Sequence, residues 1–137
     1  MTEECVFCKI VRKEAPSSVV YEDSEVLVFM DIRPVSEGHT LVIPKQHYEN
    51  IFETPEEQIA TVLKITKRIS AAVKVATNVD GISIVQQNGK AAGQEVFHLH
   101  VHIIPRFDGV KMPRFGEVKF ANRQVLDAAA AKIRSNL

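Results

Sequence analysis

His98, His100 and His102 occupy alternate positions of one apolar run, Val96-Phe97-His98-Leu99-His100-Val101-His102-Ile103-Ile104-Pro105-Arg106, and make up three of the chain's five histidines. An extended strand alternates its side chains between two faces, so this spacing predicts a row of imidazoles backed by Leu99, Val101 and Ile103 on the core side. Successive rings would sit roughly 6–7 Å apart, close enough for one phosphate-sized group to touch two of them but too far for all three to hold one ion without bending. An imidazole attacks phosphorus only when neutral, with its other ring nitrogen held so that the right tautomer faces the substrate. His100 is central, and the imidazoles on either side can hydrogen-bond the phosphate or donate a proton to the leaving oxygen. The pattern points to catalysis on an anion. The competing arrangement, a metalloenzyme with one ion held by all three histidines, would lose its activity on chelation.

Two further groups bear on that row. Asn88-Gly-Lys-Ala-Ala-Gly93-Gln94 leads into it, and a small glycine-bearing loop can bring backbone N–H groups close to an anion. Cys5 and Cys8, the only cysteines, form a Cys-x-x-Cys. In a reducing compartment such a pair serves as metal ligands, a redox couple or plain thiols rather than as a structural disulfide.

The elements that must position these residues are legible in outline. Ser18 to Tyr21 and Val26 to Asp31 are β-rich, with Glu22-Asp23-Ser24-Glu25 as the turn of a hairpin. Thr40 to Ile43 reads as a short buried strand ended by Pro44, with His39 just before it. Thr54-Pro55-Glu56-Glu57 has the layout of a capping box with proline at the first helical position. Ile59, Val62, Leu63, Ile69 and Val73 then keep a three/four spacing, which predicts an amphipathic helix that packs on a sheet and stops between Thr77 and Asp80. Gly81 to Gln87 alternates as a strand, residues 107–121 read as an irregular connection, and Asn122 caps a last helix through Val125, Leu126, Ala129 and Ile133. The expected class is α+β: an antiparallel sheet of about five strands with one long central helix and a C-terminal helix, in a single domain over residues 1–137.

Composition narrows the partners. Of 137 residues, 45% are apolar and 25% charged, enough for one compact core. Seventeen basic residues balance seventeen acidic ones, without long blocks of either sign, so neither a nucleic-acid backbone nor an anionic membrane is an expected partner. The acidic start, Met1-Thr-Glu-Glu-Cys5, lacks an apolar stretch, and the expected location is cytoplasmic.

His98-Leu-His100-Val-His102-Ile-Ile resembles the signature of the histidine triad family. The likeness extends to Phe7, Val28-Phe29-Met-Asp31-Ile32-Arg-Pro34, Gly38-His39-Thr-Leu-Val-Ile-Pro44-Lys and Ala92-Gly93-Gln94, over roughly residues 5 to 106. The resemblance implies a nucleotide hydrolase or transferase acting at an α-phosphate, in which His100 matches the nucleophile that forms a nucleotidyl-histidine intermediate. His98 and His102 match its flanking partners, and His39 the fourth histidine that supports the site. Asp31 lies where the family binds ribose hydroxyls, and Phe7, Ile10, Phe29 and Ile32 resemble the cleft for a purine base. Gln87, Gly93, Gln94, Glu95 and Val96 match the segment around the phosphate. No catalytic cofactor is implied. The alternative is a nucleotide-binding regulatory module with incidental hydrolysis.

Departures from the family pattern leave the substrate open between phosphoramidates and dinucleoside polyphosphates. Gln87 stands where many relatives have asparagine, and the ending Ile104-Pro105-Arg106 resembles the polyphosphate-hydrolase and bacterial branches. Glu95 replaces a serine or threonine that donates to phosphate, which leaves only its backbone N–H. Some relatives hold a structural zinc, and the matching residues here are Cys5, Cys8, His47 and His98. Two thiolates and two imidazoles suit tetrahedral zinc, and four protein ligands would close it to catalysis. A homodimer is expected from the same resemblance.

Overall fold

The computed structural model describes residues 5–115 and 117–137, so the acidic start read above lies mostly outside the described residues. A short helix α1 (Val6–Val11) is followed by β1 (Val19–Glu22), β2 (Val26–Met30), β3 (Thr40–Pro44), α2 (Glu56–Thr77), β4 (Gly81–Val85), β5 (Val101–Arg106) and α3 (Arg123–Arg134). The strands form one antiparallel sheet in the order β1-β2-β3-β5-β4. The expected class and strand number are therefore met. None of the described helices is long and apolar enough to cross a membrane.

Register decides which face each residue serves. Val28 pairs with Val42 and Val42 with Val101, and this row joins the main core under α2 and α3 with Val62, Ile69, Val73 and Leu126. One position along, Phe29 pairs with Leu41 and Leu41 with His102. That row faces the opposite side, where Phe7 and Ile10 of α1 cover Leu27, Phe29, Leu41 and Ile43. Both faces are thus packed where β2 and β3 run through the middle, and every residue of these two strands is buried.

Several local expectations need correction. The histidine-bearing strand begins only at Val101: its pairing with β3 stops at the pair Val42 and Val101 although β3 runs on to Pro44, and His98 to His100 have no ladder partner. That stretch is anchored otherwise: the Leu99 N–H donates to the Tyr48 carbonyl at 2.7 Å. The capping box is not made. Pro55 itself takes the cap position of α2, and the Thr54 hydroxyl donates to the Asn50 carbonyl at 2.7 Å, consistent with the extended backbone that a residue before proline prefers. Within α2, Leu63 is 49% exposed, and Ile65, Ala72 and Ala76 fill the stripe instead. In α3, capped by the Asn122 side chain on the Gln124 N–H as expected, Val125 points outward and Ala130 inward. Cys8 lies on α1 and Cys5 caps it, a helix the apolar pattern did not reveal.

Candidate active site and metal centre

Helix α1 places its two cysteines on one side. Cys5 is the cap residue, its sulfur accepting the Cys8 N–H, and Cys8 follows one turn later. His47, just past the end of β3, and His98, just before β5, complete the group. Cys5 Sγ and Cys8 Sγ lie 3.5 and 3.6 Å from His98 Nδ1; His47 Nδ1 is 3.3 Å from both Cys8 Sγ and His98 Nδ1. A tetrahedral zinc with bonds of about 2.3 Å to sulfur and about 2.0–2.1 Å to nitrogen has edges of about 3.5 Å between S and N and about 3.3 Å between two N. The donor set fits that ion. His98 is prepared for it, because its Nε2–H donates to the Pro44 carbonyl at 2.8 Å and so leaves Nδ1 with a lone pair toward the sulfurs. Without a cation, burial and then the neighbouring Cys5 push the Cys8 thiol up to about 11. A bound divalent cation would reverse that and hold both sulfurs as thiolates.

The other three histidines have their tautomers set by the same logic. His100 Nδ1 is 2.7 Å from the His98 carbonyl, which can only accept, so the proton is on Nδ1 and the free lone pair is on Nε2. His39 Nδ1 accepts the Val35 N–H at 3.1 Å, which puts the His39 proton on Nε2. His39 Nε2 in turn donates to His102 Nδ1 at 2.9 Å, leaving His102 with its proton on Nε2. A neutral ring with its lone pair on Nε2 and a neutral ring with its proton on Nε2 therefore stand side by side, with centroids 4.9 Å apart. Burial keeps them uncharged: it lowers His100 below the usual imidazole range, and with the neighbouring His100 it takes His39 and His102 down to about 3. His98 falls to about 4, again chiefly through burial.

Asp31, His39 and His102 also cluster, with Asp31 Oδ2 3.4 Å from His39 Nε2 and 4.0 Å from His102 Nδ1. To ligate an ion through Nε2 as a neutral ring, His39 would need its proton on Nδ1, the atom that already accepts from Val35. The cluster is consequently built to pass on a tautomer rather than to hold a metal. Burial raises Asp31 to about 6 despite the Arg33 N–H that its other oxygen accepts at 2.8 Å.

His100 and His102 open onto a cleft of about 180 Å³. A closed apolar cavity of about 150 Å³ accepts one planar aromatic ring, so a flat ring system has room here. Phe7, Ile10 and Phe29 line it, Phe7 standing edge-on to Phe29 at 5.3 Å and to His100 at 5.2 Å. Ile32, Asp31, Gln87, Gly93, Glu95 and Val96 complete the positions singled out from the sequence. Gln94 does not line the cleft: buried, it accepts the Gly89 N–H and donates to the Glu49 and Val96 carbonyls, so it shapes the loop. The loop's own amides are likewise spent, those of Ala92, Gly93 and Gln94 on the Gly89 and Lys90 carbonyls. Among the described residues the N–H groups of Glu95 and Val96 carry no such bond, which moves the donors for an anion one step past the glycines.

Val6, Arg33, Leu41 and Phe115 also line the cleft and were not singled out from the sequence. Phe115 lies over the His102 ring with centroids 4.5 Å apart and planes 31° apart. It belongs to the irregular stretch of residues 107–121, where no periodicity could mark it. That stretch is tied to the Asp31 segment, the Arg33 Nε–H donating to the Val118 carbonyl and the Ala121 N–H to the Ile32 carbonyl.

The HIT domain model matches residues 12–109 of this chain. A HIT-like protein of Methanocaldococcus jannaschii is 49% identical over 116 residues, covering 84% of this chain and 89% of that one. An adenylylsulfatase of Arabidopsis thaliana is 45% identical, covering 77% and 54%, and an adenosine 5'-monophosphoramidase of Saccharomyces cerevisiae is 41% identical, covering 76% and 63%. Among solved structures, a Hit-like protein of Bartonella henselae superposes with a TM-score of 0.91 at 41% identity, covering 98% of each chain. A zinc-bound histidine triad family protein of Mycobacterium smegmatis superposes with a TM-score of 0.87 at 37% identity, covering 99% and 94%. Matched over most of its length in sequence and fold, and carrying the histidine row in the geometry just described, the chain belongs to the HIT domain family.

Proposed function

We propose that this protein hydrolyses nucleotide derivatives at the α-phosphate through a covalent nucleotidyl-His100 intermediate and releases a nucleoside monophosphate. The observation that carries the reading is the 2.7 Å bond from His100 Nδ1–H to the His98 carbonyl, which leaves Nε2 as a lone-pair nitrogen beside the cleft. In the first step the Nε2–phosphorus bond forms, the bond to the leaving group breaks, and His102 Nε2–H supplies the leaving atom's proton, the negative charge left on the His102 ring being matched by the positive charge on the His100 ring, which now carries both its Nδ1 proton and phosphorus. In the second, water attacks phosphorus, its proton returns to His102, and the phosphorus–nitrogen bond breaks. The purine base lies among Phe7, Ile10, Phe29 and Ile32, Asp31 accepts hydrogen bonds from ribose hydroxyls, and the Glu95 and Val96 amides receive the phosphate oxygens. The two relatives named for hydrolysing adenylyl compounds support this choice of substrate class.

Zinc at Cys5, Cys8, His47 and His98 is structural in this reading, and it supplies a fixed charge that pins α1 to the start of the histidine segment. It leaves Nε2 of His100 untouched. The protein acts as a homodimer, which sedimentation would report directly. The deciding experiment is acid quench of the protein with labelled adenosine 5'-phosphoramidate or diadenosine polyphosphate. A labelled, acid-labile adduct should form in the wild-type chain and be absent from His100→Asn, which should still bind adenosine monophosphate. Undiminished turnover by His100→Asn would sink the assignment.

A further inference from the structure

We propose that Glu95 selects the leaving group by its charge, and that a second recess beside the nucleotide cleft receives a cationic, amine-bearing leaving group in preference to a phosphate chain. The proposal rests on the hydrolytic reading above and adds the substrate class. The recess shares Gln87, Gly93, Glu95 and Phe115 with the cleft and is walled on its far side by Met112 and Arg114. His100 and the apolar residues that would hold a base line the cleft alone. Displacement by His100 Nε2 requires the leaving group to depart on the side of phosphorus away from that nitrogen. The recess adjoins the cleft through shared lining residues, and Glu95, which lines both, stands where a leaving group extending from the nucleotide would enter it.

The charges at that boundary favour a cation. Arg114 is the basic residue of the recess wall; it is 87% exposed and 3.9 Å from Glu117, so solvent screens its charge and that carboxylate offsets part of it. Glu95 has no cation within ion-pair distance among the described residues. A carboxylate offers acceptors only. It can bond an ammonium, whereas a polyphosphate would bring two or more negative charges against it. A hydroxyl at this position would carry no such bias.

The chemistry balances without a further reactant. His100 Nε2 bonds to phosphorus, the phosphorus–nitrogen bond breaks, and the departing nitrogen takes the His102 Nε2 proton and leaves as an amine. The test uses three adenosine 5'-phosphoramidates whose alkylamine chains have equal length and end in an ammonium, a methyl or a carboxylate, together with diadenosine tetraphosphate. For the wild-type chain kcat/KM should fall in the order ammonium, methyl, carboxylate, by about fivefold to tenfold per step at low salt, and the steps should shrink as salt is raised. In Glu95→Gln the ammonium-to-carboxylate ratio should contract at least tenfold, whatever the absolute rates. An unchanged ratio in Glu95→Gln, or wild-type preference for the carboxylate substrate or for diadenosine tetraphosphate over the ammonium substrate, would overturn the proposal. Failure of His100-dependent turnover on the neutral methyl substrate would instead remove the hydrolytic reading itself, so the two failures are distinguishable.

Discussion

Replacing His39 by asparagine and, separately, by glutamine should split two jobs that its ring performs at once. Nδ1 accepts the buried Val35 N–H at 3.1 Å, and Nε2–H donates to His102 Nδ1 at 2.9 Å. An asparagine oxygen reaches roughly the place of Nδ1, and a glutamine amide nitrogen roughly the place of Nε2. His39→Asn therefore keeps Val35 satisfied but releases His102, whose proton can then move to Nδ1 and leave no donor for the leaving group. A misdirected tautomer of a proton-transferring histidine costs about 10²–10⁴ in rate, so kcat should fall at least about a hundredfold with stability little changed. His39→Gln keeps a donor on His102 but strands the Val35 N–H in a site with no exposure. An unsatisfied buried donor costs about 1–3 kcal/mol, or roughly 3–10 °C in Tm for a chain of this size, while kcat should stay within about tenfold of wild type. Release of adenosine monophosphate from adenosine 5'-phosphoramidate and thermal denaturation by circular dichroism read the two effects. Equal losses of activity in both variants, or a more active asparagine variant, would refute the tautomer chain.

Three other outcomes follow from the same geometry. Elemental analysis should find about one zinc per protein in the wild-type chain and little in Cys8→Ser, with a fall in Tm on the order of 10 °C; metal content unaffected by the substitution would remove the proposed ligand set. On acidification, His39 and His102 stay neutral in the fold to about pH 3 while the unfolded chain protonates from about 6.5, so stability is present above 6.5 and is lost as pH falls below it. Asp31 opposes part of this, because in the fold it takes up its proton already near pH 6. From these three groups the slope near pH 5 should be roughly 1–2 kcal/mol per pH unit. Equal urea midpoints at pH 5 and pH 7.5 would contradict it. Gly93→Ala places a Cβ 2.6 Å from Gln87 Nε2 at a backbone φ of +94°. Nucleotide affinity, read by calorimetry with adenosine monophosphate, should weaken about tenfold as Gln87 is displaced into the cleft; unchanged affinity would show that Gln87 has room elsewhere.

The alternation of His98, His100 and His102 with apolar residues was sufficient by itself to set a group of imidazoles apart from the core as candidates for chemistry, because strand periodicity ties sequence spacing to direction. The same local rules made β1 to β4, the Asn122 cap and the general course of α2 and α3 legible, since propensity and turn chemistry act within a few residues. What those rules could not supply were the relations between distant segments. That His98 leaves the ladder to bond Pro44 and face Cys5, Cys8 and His47, that Val35 reaches His102 through His39, and that Phe115 covers His102 all depend on how β3, β5, α1 and residues 107–121 come together. A tautomer is chosen by whichever carbonyl or amide lies within hydrogen-bond reach, and a histidine stays neutral only where packing has removed water. Residue type and spacing therefore determined which groups could react, while tertiary contact alone decided where each proton sits.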